Sequence, residues 1–172
     1  MKKEFIKNNK AFTLVEVMLY TALLSIFLLS MSLFVNSVIA AKAKNQIILD
    51  LERQGEYISS IIYETIINSQ SINTPLLGQE SSSLSLNTEI SINNPTIINI
   101  SDNKIQIKEG SSPAIYLNSD NIKAENLLFK ENSLLNSPEN ISVSFTLSTI
   151  STNNKTEFNY SQDFYLNASR RY

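Results

Sequence analysis

The residues that most often carry out chemistry in proteins are largely missing from this sequence. It has no Cys and no His among its 172 residues, which excludes thiolate nucleophiles, zinc–thiolate sites and the common Ser–His triads. Its three glycines, Gly55, Gly78 and Gly110, are isolated, so they form no glycine-rich phosphate loop. The composition therefore predicts that the protein is not an enzyme and uses no cofactor.

Carboxylates offer the remaining route to catalysis or metal binding. Glu125 with Glu131, or Glu109 with Asp120, could meet in space as a general acid and base. The acidic residues match no calcium-binding loop, and acidic side chains usually lie on a solvated surface. We therefore expect solvated carboxylates and no metal site.

The C-terminus carries a small cationic cluster, Arg170 and Arg171, in a chain whose net charge is −2. That balance produces no large cationic field, so tight binding of nucleic acid through bulk charge is not expected. A solvated chain end is the favoured interpretation. Contact of the two arginines with DNA phosphates or with an acidic neighbour is the alternative.

One carboxylate lies in an unusual setting. Glu16 directly precedes Val17–Ala41, a run of 25 residues without a charged side chain. As a helix rising about 1.5 Å per residue, this run would be about 37 Å long, enough to cross a hydrocarbon core of about 30 Å. A buried charge costs on the order of 2.5–3.5 kcal/mol at mid-membrane and less near an interface. Glu16 is therefore expected to have a partner.

The residues before the apolar run predict its orientation. Four lysines and one glutamate give the leader, residues 1–11, a net charge of +3, which places the N-terminus in the cytoplasm and the C-terminal bulk outside. A cleaved signal peptide would need a shorter apolar core, of about 7–15 residues. A plain signal anchor explains the length and the orientation but not Glu16.

The segment from Lys10 to Leu19, KAFTLVEVML, resembles the prepilin junction of type IV pilins and type II secretion pseudopilins. In that family a basic leader ends in a small residue, and a Phe follows, with a Glu four residues beyond it. The resemblance implies cleavage between Ala11 and Phe12, N-methylation of Phe12, and a role for Glu16 in assembly. The family usually has Gly where this chain has Ala11.

The resemblance also implies a function and partners. The protein would be a structural subunit, a minor pilin or pseudopilin, because major pilins often close their C-terminal region with a disulfide and this chain has no Cys. Its partners would be the prepilin peptidase/methyltransferase, other pilins, the membrane assembly platform and the lipid bilayer. It would cross the inner membrane once and then enter an extracellular or periplasmic filament. The alternative is a membrane-anchored monomeric surface domain that binds a ligand and never polymerises.

Helical periodicity continues beyond the apolar run. Ile47, Ile48, Leu51, Ile58, Ile62 and Ile66 lie within a stripe about 100° wide at 3.6 residues per turn. Gly55 falls on this stripe, where it either lets a strand approach closely or is a chance weak point. The pattern ends near Ser69, ahead of Pro75. One helix is predicted from about Phe12 to about Ser69.

The period changes to two from about Gln79, which predicts strands with one wet and one dry face. The alternating apolar residues are Leu84, Leu86, Ile90 and Ile92; Ile105 and Ile107; Ile141, Val143, Phe145 and Leu147; and Phe158, Tyr160, Phe164 and Leu166. A short apolar run at residues 115–117 adds to them, and residues 151–154 read as a hairpin connection.

Together these patterns predict an α+β fold in which a long N-terminal helix packs on an antiparallel sheet, the architecture of pilins. Leu51, Ile58, Ile62 and Ile66 should pack against the inward face of this sheet, which includes Leu84, Leu86, Ile90, Phe145 and Leu147. The expected segments are a leader (1–11), a transmembrane half-helix (12–41), an amphipathic half-helix (42–70) and a β-rich head (71–172).

Overall fold

The computed structural model of the protein describes residues 12–133, 138–150 and 159–170. Helix α1 (Leu14–Ile67) occupies the N-terminal third. The residues up to Ala43 form one unit. Those from Lys44 onward form a second unit, which comprises the C-terminal part of α1 and the β-rich head. Helix α1 ends at Ile67, where the Ser69 hydroxyl donates to the Ile66 carbonyl oxygen at 2.7 Å. This bond satisfies a carbonyl that the last turn leaves without a helical partner.

The head is built from antiparallel strands. In the described part of the chain these are β1 (Ser69–Thr74), β2 (Glu80–Ser81), β3 (Leu84–Thr88), β4 (Thr96–Ser101), β5 (Lys104–Glu109), β6 (Ile115–Tyr116), β7 (Ile122–Glu131), β8 (Asn140–Thr149) and β9 (Ser161–Ser169). They form two sheets rather than one, in the orders β1-β3-β4-β5-β6 and β2-β7-β8-β9. Long helix and antiparallel sheet are therefore confirmed, with a second sheet that the periodicity did not separate.

The apolar stripe of α1 packs as predicted. Leu51, Ile58, Ile62 and Ile66 are each 0% exposed, and they belong to one core cluster with residues of both sheets. That cluster includes Leu84 and Leu86 of β3 and Phe145 and Leu147 of β8, as expected. Burial of apolar surface at about 25 cal/mol per Å² makes this cluster the main source of the head's stability.

The prediction that Ile90 and Ile92 face inward is wrong, because strand β3 ends at Thr88. The Asn94 side chain accepts from the Thr88 N–H at 2.6 Å and donates to the Thr88 carbonyl at 3.0 Å. It thus takes both backbone groups that a longer ladder would use. Ile90 and Ile92 follow the strand and are 61% and 77% exposed, with Ile92 in a short 3-10 helix (Ser91–Asn93).

Asn118 joins the two sheets from a buried position, 5% exposed. Its Oδ1 accepts from the Ile105 N–H on β5 at 2.8 Å, and its Nδ2 donates to the Ile122 carbonyl on β7 at 2.6 Å. A buried amide with donors and acceptors paired in this way is stabilising, because each lost partner would leave a desolvated polar group. This link sets how β7 follows from the first sheet.

On β8 and β9 the predicted alternation holds over the described residues. Ile141, Val143, Phe145 and Leu147 are buried on β8, and Phe164 and Leu166 of β9 pack against the core cluster. Phe158 and the hairpin connection at 151–154 lie outside the described residues. The pairing of Phe145 with Phe164 fixes the register of these two strands.

Candidate functional site

Helix α1 begins with a capping pattern, Thr-x-x-Glu, formed by Thr13 and Glu16. The Glu16 N–H donates to Thr13 Oγ1 at 3.3 Å, which satisfies one of the orphan donors of the first helical turn. Glu16 therefore stands in that turn, where a carboxylate interacts favourably with the positive end of the helix dipole. The same interaction would stabilise the helix of a plain membrane anchor. Glu16 therefore distinguishes a filament subunit from a membrane anchor less clearly than the sequence analysis suggested.

Tyr20 contacts Glu16, the last residue of this capping pattern, and Phe12, the residue that precedes the pattern. Its hydroxyl donates to Glu16 Oε1 at 3.2 Å, and its ring meets the ring of Phe12 edge-to-face at a centroid distance of 6.5 Å. Among the described residues from Phe12 to Lys42, Glu16 alone is partly buried and the others are exposed. Phe12, Glu16 and Tyr20, which we call the N-terminal cluster, thus lie together at the start of the helix.

Beyond this cluster the helix is apolar and uncovered. It is the one helix in the described residues that is long and apolar enough to cross a membrane. The hydroxyl groups of Thr21 and Ser25 bond within the helix, where Thr21 donates to the Met18 carbonyl and Ser25 to the Thr21 carbonyl. Internal hydrogen bonding of polar groups is what a lipid environment demands. The length, composition and bonding fit membrane anchoring.

The structure describes only one side of the predicted cleavage point. Phe12 belongs to the N-terminal cluster, whereas Ala11 lies outside the described residues. Phe12 and Thr13 precede the helix, so the bond that the peptidase would cut adjoins non-helical backbone.

Arg170 bonds within the head. Its Nε lies 2.9 Å from Glu139 Oε2, and its guanidinium donates to the Gln70 carbonyl at the start of β1. These contacts connect the end of β9 to two other segments. Arg170 therefore has a structural role, whereas the sequence analysis considered only a solvated chain end or a contact with DNA or an acidic neighbour. Arg171 lies outside the described residues.

The carboxylate pairs considered from sequence are not brought together. Glu125 lies beside Lys123 near the start of β7, while Glu131 ends the strand. Glu109 ends β5, whereas Asp120 bonds to Lys104 at the opposite end of that strand. Over the described residues, no group of three acidic side chains could hold a metal ion.

One spacing that sequence reading missed is Ser101-Asp102-Asn103-Lys104, a Ser-x-x-Lys pattern. The structure places it at the tight turn between β4 and β5, where Asp102 and Asn103 have φ of 53° and 60°, as a two-residue hairpin turn requires. The Lys104 ammonium bonds to Asp120 and lies 5.0 Å from the Tyr116 ring centroid. The side chain of Lys104 is thus directed to Asp120 and Tyr116, while Ser101 Oγ donates to Asp102 Oδ2 at 3.4 Å.

Comparison with known proteins agrees with the N-terminal geometry. A family model described as the prokaryotic N-terminal methylation motif matches residues 6–32. No curated protein and no solved structure matches the chain. The motif confirms the resemblance to type IV pilins and pseudopilins, and it spans the whole N-terminal cluster.

Proposed function

We propose that this protein is a structural subunit, a minor pilin or pseudopilin, of a type IV pilus-like or type II secretion filament. The observation that carries the proposal is the methylation motif matched over residues 6–32. Within it, Glu16 lies four residues after Phe12, at the start of a helix that can cross a membrane.

Processing would begin at the cytoplasmic face. Hydrolysis of the Ala11–Phe12 peptide bond by the prepilin peptidase would release the basic leader and leave a free amine on Phe12, which is then N-methylated. The apolar helix stays on the mature chain and keeps it in the inner membrane, with the head outside. Extraction into a filament then exchanges lipid contacts for contacts with sister helices.

Charge pairing would guide that exchange. The new Phe12 amine is cationic at neutral pH, and the Glu16 carboxylate lies one helical turn away on the same chain. In a staggered bundle the amine of an incoming subunit can meet the Glu16 of a neighbour or its own. Each charge would cost several kcal/mol if buried alone, so axial registers that pair them are favoured.

The minor subunit is favoured by the head. It lacks cysteine and therefore any disulfide closure, and it ends in two long, regularly patterned strands, β8 and β9. DNA binding has little support, since Arg170 is already paired with Glu139. The competing function is a membrane-anchored monomer whose head binds a ligand.

The decisive experiment compares Glu16→Gln with wild type in the membrane pool and in sheared filaments. Glutamine removes the charge but can still occupy the third helical position of a capping box, so helix initiation is preserved. We expect normal membrane insertion and leader cleavage but reduced recovery with filaments. Glu16→Asp should be milder yet not neutral, because its shorter side chain alters the reach of the carboxylate.

Glu56→Gln is the matched control, since Glu56 is an exposed acidic residue on the same helix and its substitution should leave filament recovery unchanged. If Glu16→Gln is recovered with filaments at the wild-type level, the carboxylate does not guide assembly. The anchored monomer would then be the better description.

A further inference from the structure

We propose that Tyr20 is a positioning residue for the Glu16 carboxylate during filament assembly. This inference rests on the proposed function and adds to it a second side chain, one that neither the methylation motif nor the chemistry of the Phe12 amine assigns. The observation behind it is that Tyr20 contacts both partners of the expected ion pair.

The spacing of the three residues explains the contacts. Glu16 and Tyr20 are four residues apart in a continuous helix, so their side chains are neighbours on one face. The Tyr20 hydroxyl donates to Glu16 Oε1 at 3.2 Å. The same ring packs edge-to-face on Phe12, with 75° between the ring planes, an arrangement that aromatic quadrupoles favour.

These contacts restrict the position of the carboxylate but leave some of its hydrogen-bond acceptor sites free. A carboxylate has about four lone-pair sites on two oxygens, so the Tyr20 hydroxyl on Oε1 leaves Oε2 for an ammonium group. Glu16 is also partly buried, whereas the rest of this helical segment is exposed. Tyr20 therefore provides a hydrogen-bond donor to the carboxylate before assembly, while the subunit is in the membrane. The same bond keeps the Glu16 side chain in one rotamer, in which it can bind the amine.

The ring contact acts on the other partner. Phe12 precedes the first residue of α1, so its backbone is not fixed by helical hydrogen bonds. Packing of the Phe12 ring on Tyr20 restricts where the new amine can lie relative to Glu16. Preorganisation of both charges reduces the entropy that is lost when subunits associate.

A simpler use for Tyr20 is membrane-interface anchoring, in which an aromatic ring sits among the lipid headgroups. The two roles differ in one respect. An interfacial anchor acts independently of Glu16, whereas a positioning residue acts only through it. A double-mutant cycle between Tyr20 and Glu16 separates them.

The experiment measures full-length Tyr20→Phe, Glu16→Gln and the double variant in membranes and in sheared filaments. Tyr20→Phe keeps the ring on Phe12 and removes only the hydroxyl. This hydrogen bond is exposed, so its loss should have the effect of losing an ordinary hydrogen bond and lower filament recovery roughly threefold to tenfold, with insertion and cleavage unchanged. In the Glu16→Gln background the same substitution should have no further effect. Thr21→Val is the matched control, because it removes a hydroxyl that bonds only to the helix's own Met18 carbonyl.

Each outcome decides the matter. Wild-type recovery of Tyr20→Phe, with Glu16→Gln reduced, would overturn the role of Tyr20 and leave the proposed function standing. Equal losses for Tyr20→Phe in both backgrounds would also overturn it, since Tyr20 would then act without Glu16. Wild-type recovery of Glu16→Gln would overturn the assembly role of the carboxylate and this inference together.

A spectroscopic readout tests the contact itself in the full-length chain held in detergent micelles. With carbon-13 in the glutamate side chains, the Glu16 carboxylate resonance is assigned by its absence in Glu16→Gln. Tyr20→Phe should shift this resonance and Thr21→Val should not. An unchanged resonance in Tyr20→Phe would overturn the hydrogen bond on which the inference depends.

Discussion

The ring of Phe164 on β9 lies directly against the bare backbone of Gly55 on α1. A methyl group built at Gly55 would sit 2.0 Å from Cζ of that ring, closer than two non-bonded carbons approach in folded proteins. The ring is also stacked on Phe145, with centroids 5.2 Å apart. Gly55 is therefore the point where β9 and its aromatic pair approach the helix, which decides between the two readings that the sequence left open.

We expect Gly55→Ala to destabilise the head, although alanine favours a helix by about 1 kcal/mol over glycine. The added methyl must displace the Phe164 ring, and overpacking of this kind typically costs about 1–3 kcal/mol. Thermal unfolding of a soluble fragment that starts near Lys44 measures the effect. In a Phe164→Leu background the same change should be neutral or stabilising. A raised melting temperature for Gly55→Ala alone would contradict the close approach.

Ile62→Ala should destabilise the same fragment strongly. Ile62 is 0% exposed at the centre of the helix stripe, and truncation of a buried Ile to Ala typically costs about 2–5 kcal/mol. Leu49→Ala is the matched control, because Leu49 is on the same helix and 62% exposed. Equal melting temperatures for Ile62→Ala and wild type would show that the stripe does not hold the head together.

The mature N-terminus should be Phe12. Ala11 is small enough for the pocket of a peptidase that usually accepts glycine, and the lysines of the leader should keep the junction at the cytoplasmic face. The intact mass of protein extracted from membranes should lack the first eleven residues. Ala11→Gly should preserve this product and Ala11→Leu should prevent it. A chain that starts at Lys42 or Lys44 would instead indicate signal-peptidase cleavage.

Acid should weaken the head in part through Asp120. The hydrogen bond from the Lys104 ammonium, reinforced by its charge, holds the pKa of the Asp120 carboxyl below its usual value of 3.8. A pKa lowered by folding adds stability above the unfolded value, and this is lost as pH falls through the folded value. Asp120→Asn should therefore lower the unfolding free energy slightly at neutral pH and have no effect in strong acid.

The size of this difference is limited because the Asp120 side chain is 91% exposed, and salt should reduce it further. Glu109→Gln, at the other end of β5, is the control for the removal of an acidic side chain near this strand. A difference between Asp120→Asn and wild type that persists below the folded pKa would contradict the pairing with Lys104.

Sequence alone determined the features that depend on local order and period. The charge-free run of residues 17–41 specifies a long apolar helix because apolar side chains predominate in it and no charge interrupts it. Ala11, Phe12 and Glu16 could be placed in the methylation motif that matches residues 6–32, because such a motif consists of residues close together in sequence. The 3.6-residue stripe through Ile62 and the two-residue alternation on β8 specify which faces are buried, and the core confirms both.

Only the tertiary structure decided how those faces are divided. A two-residue period is the same whether the strands form one sheet or two. The period therefore could not predict the junction at Asn118, whose hydrogen-bond partners Ile105 and Ile122 lie on different sheets. The end of β3 depends on hydrogen bonds between the Asn94 side chain and the Thr88 backbone. The two-residue alternation of apolar and polar residues does not indicate which polar side chain makes such a bond. The contact of Gly55 with Phe164 joins residues more than a hundred positions apart, and no local pattern specifies which ring will fill the space that a glycine leaves.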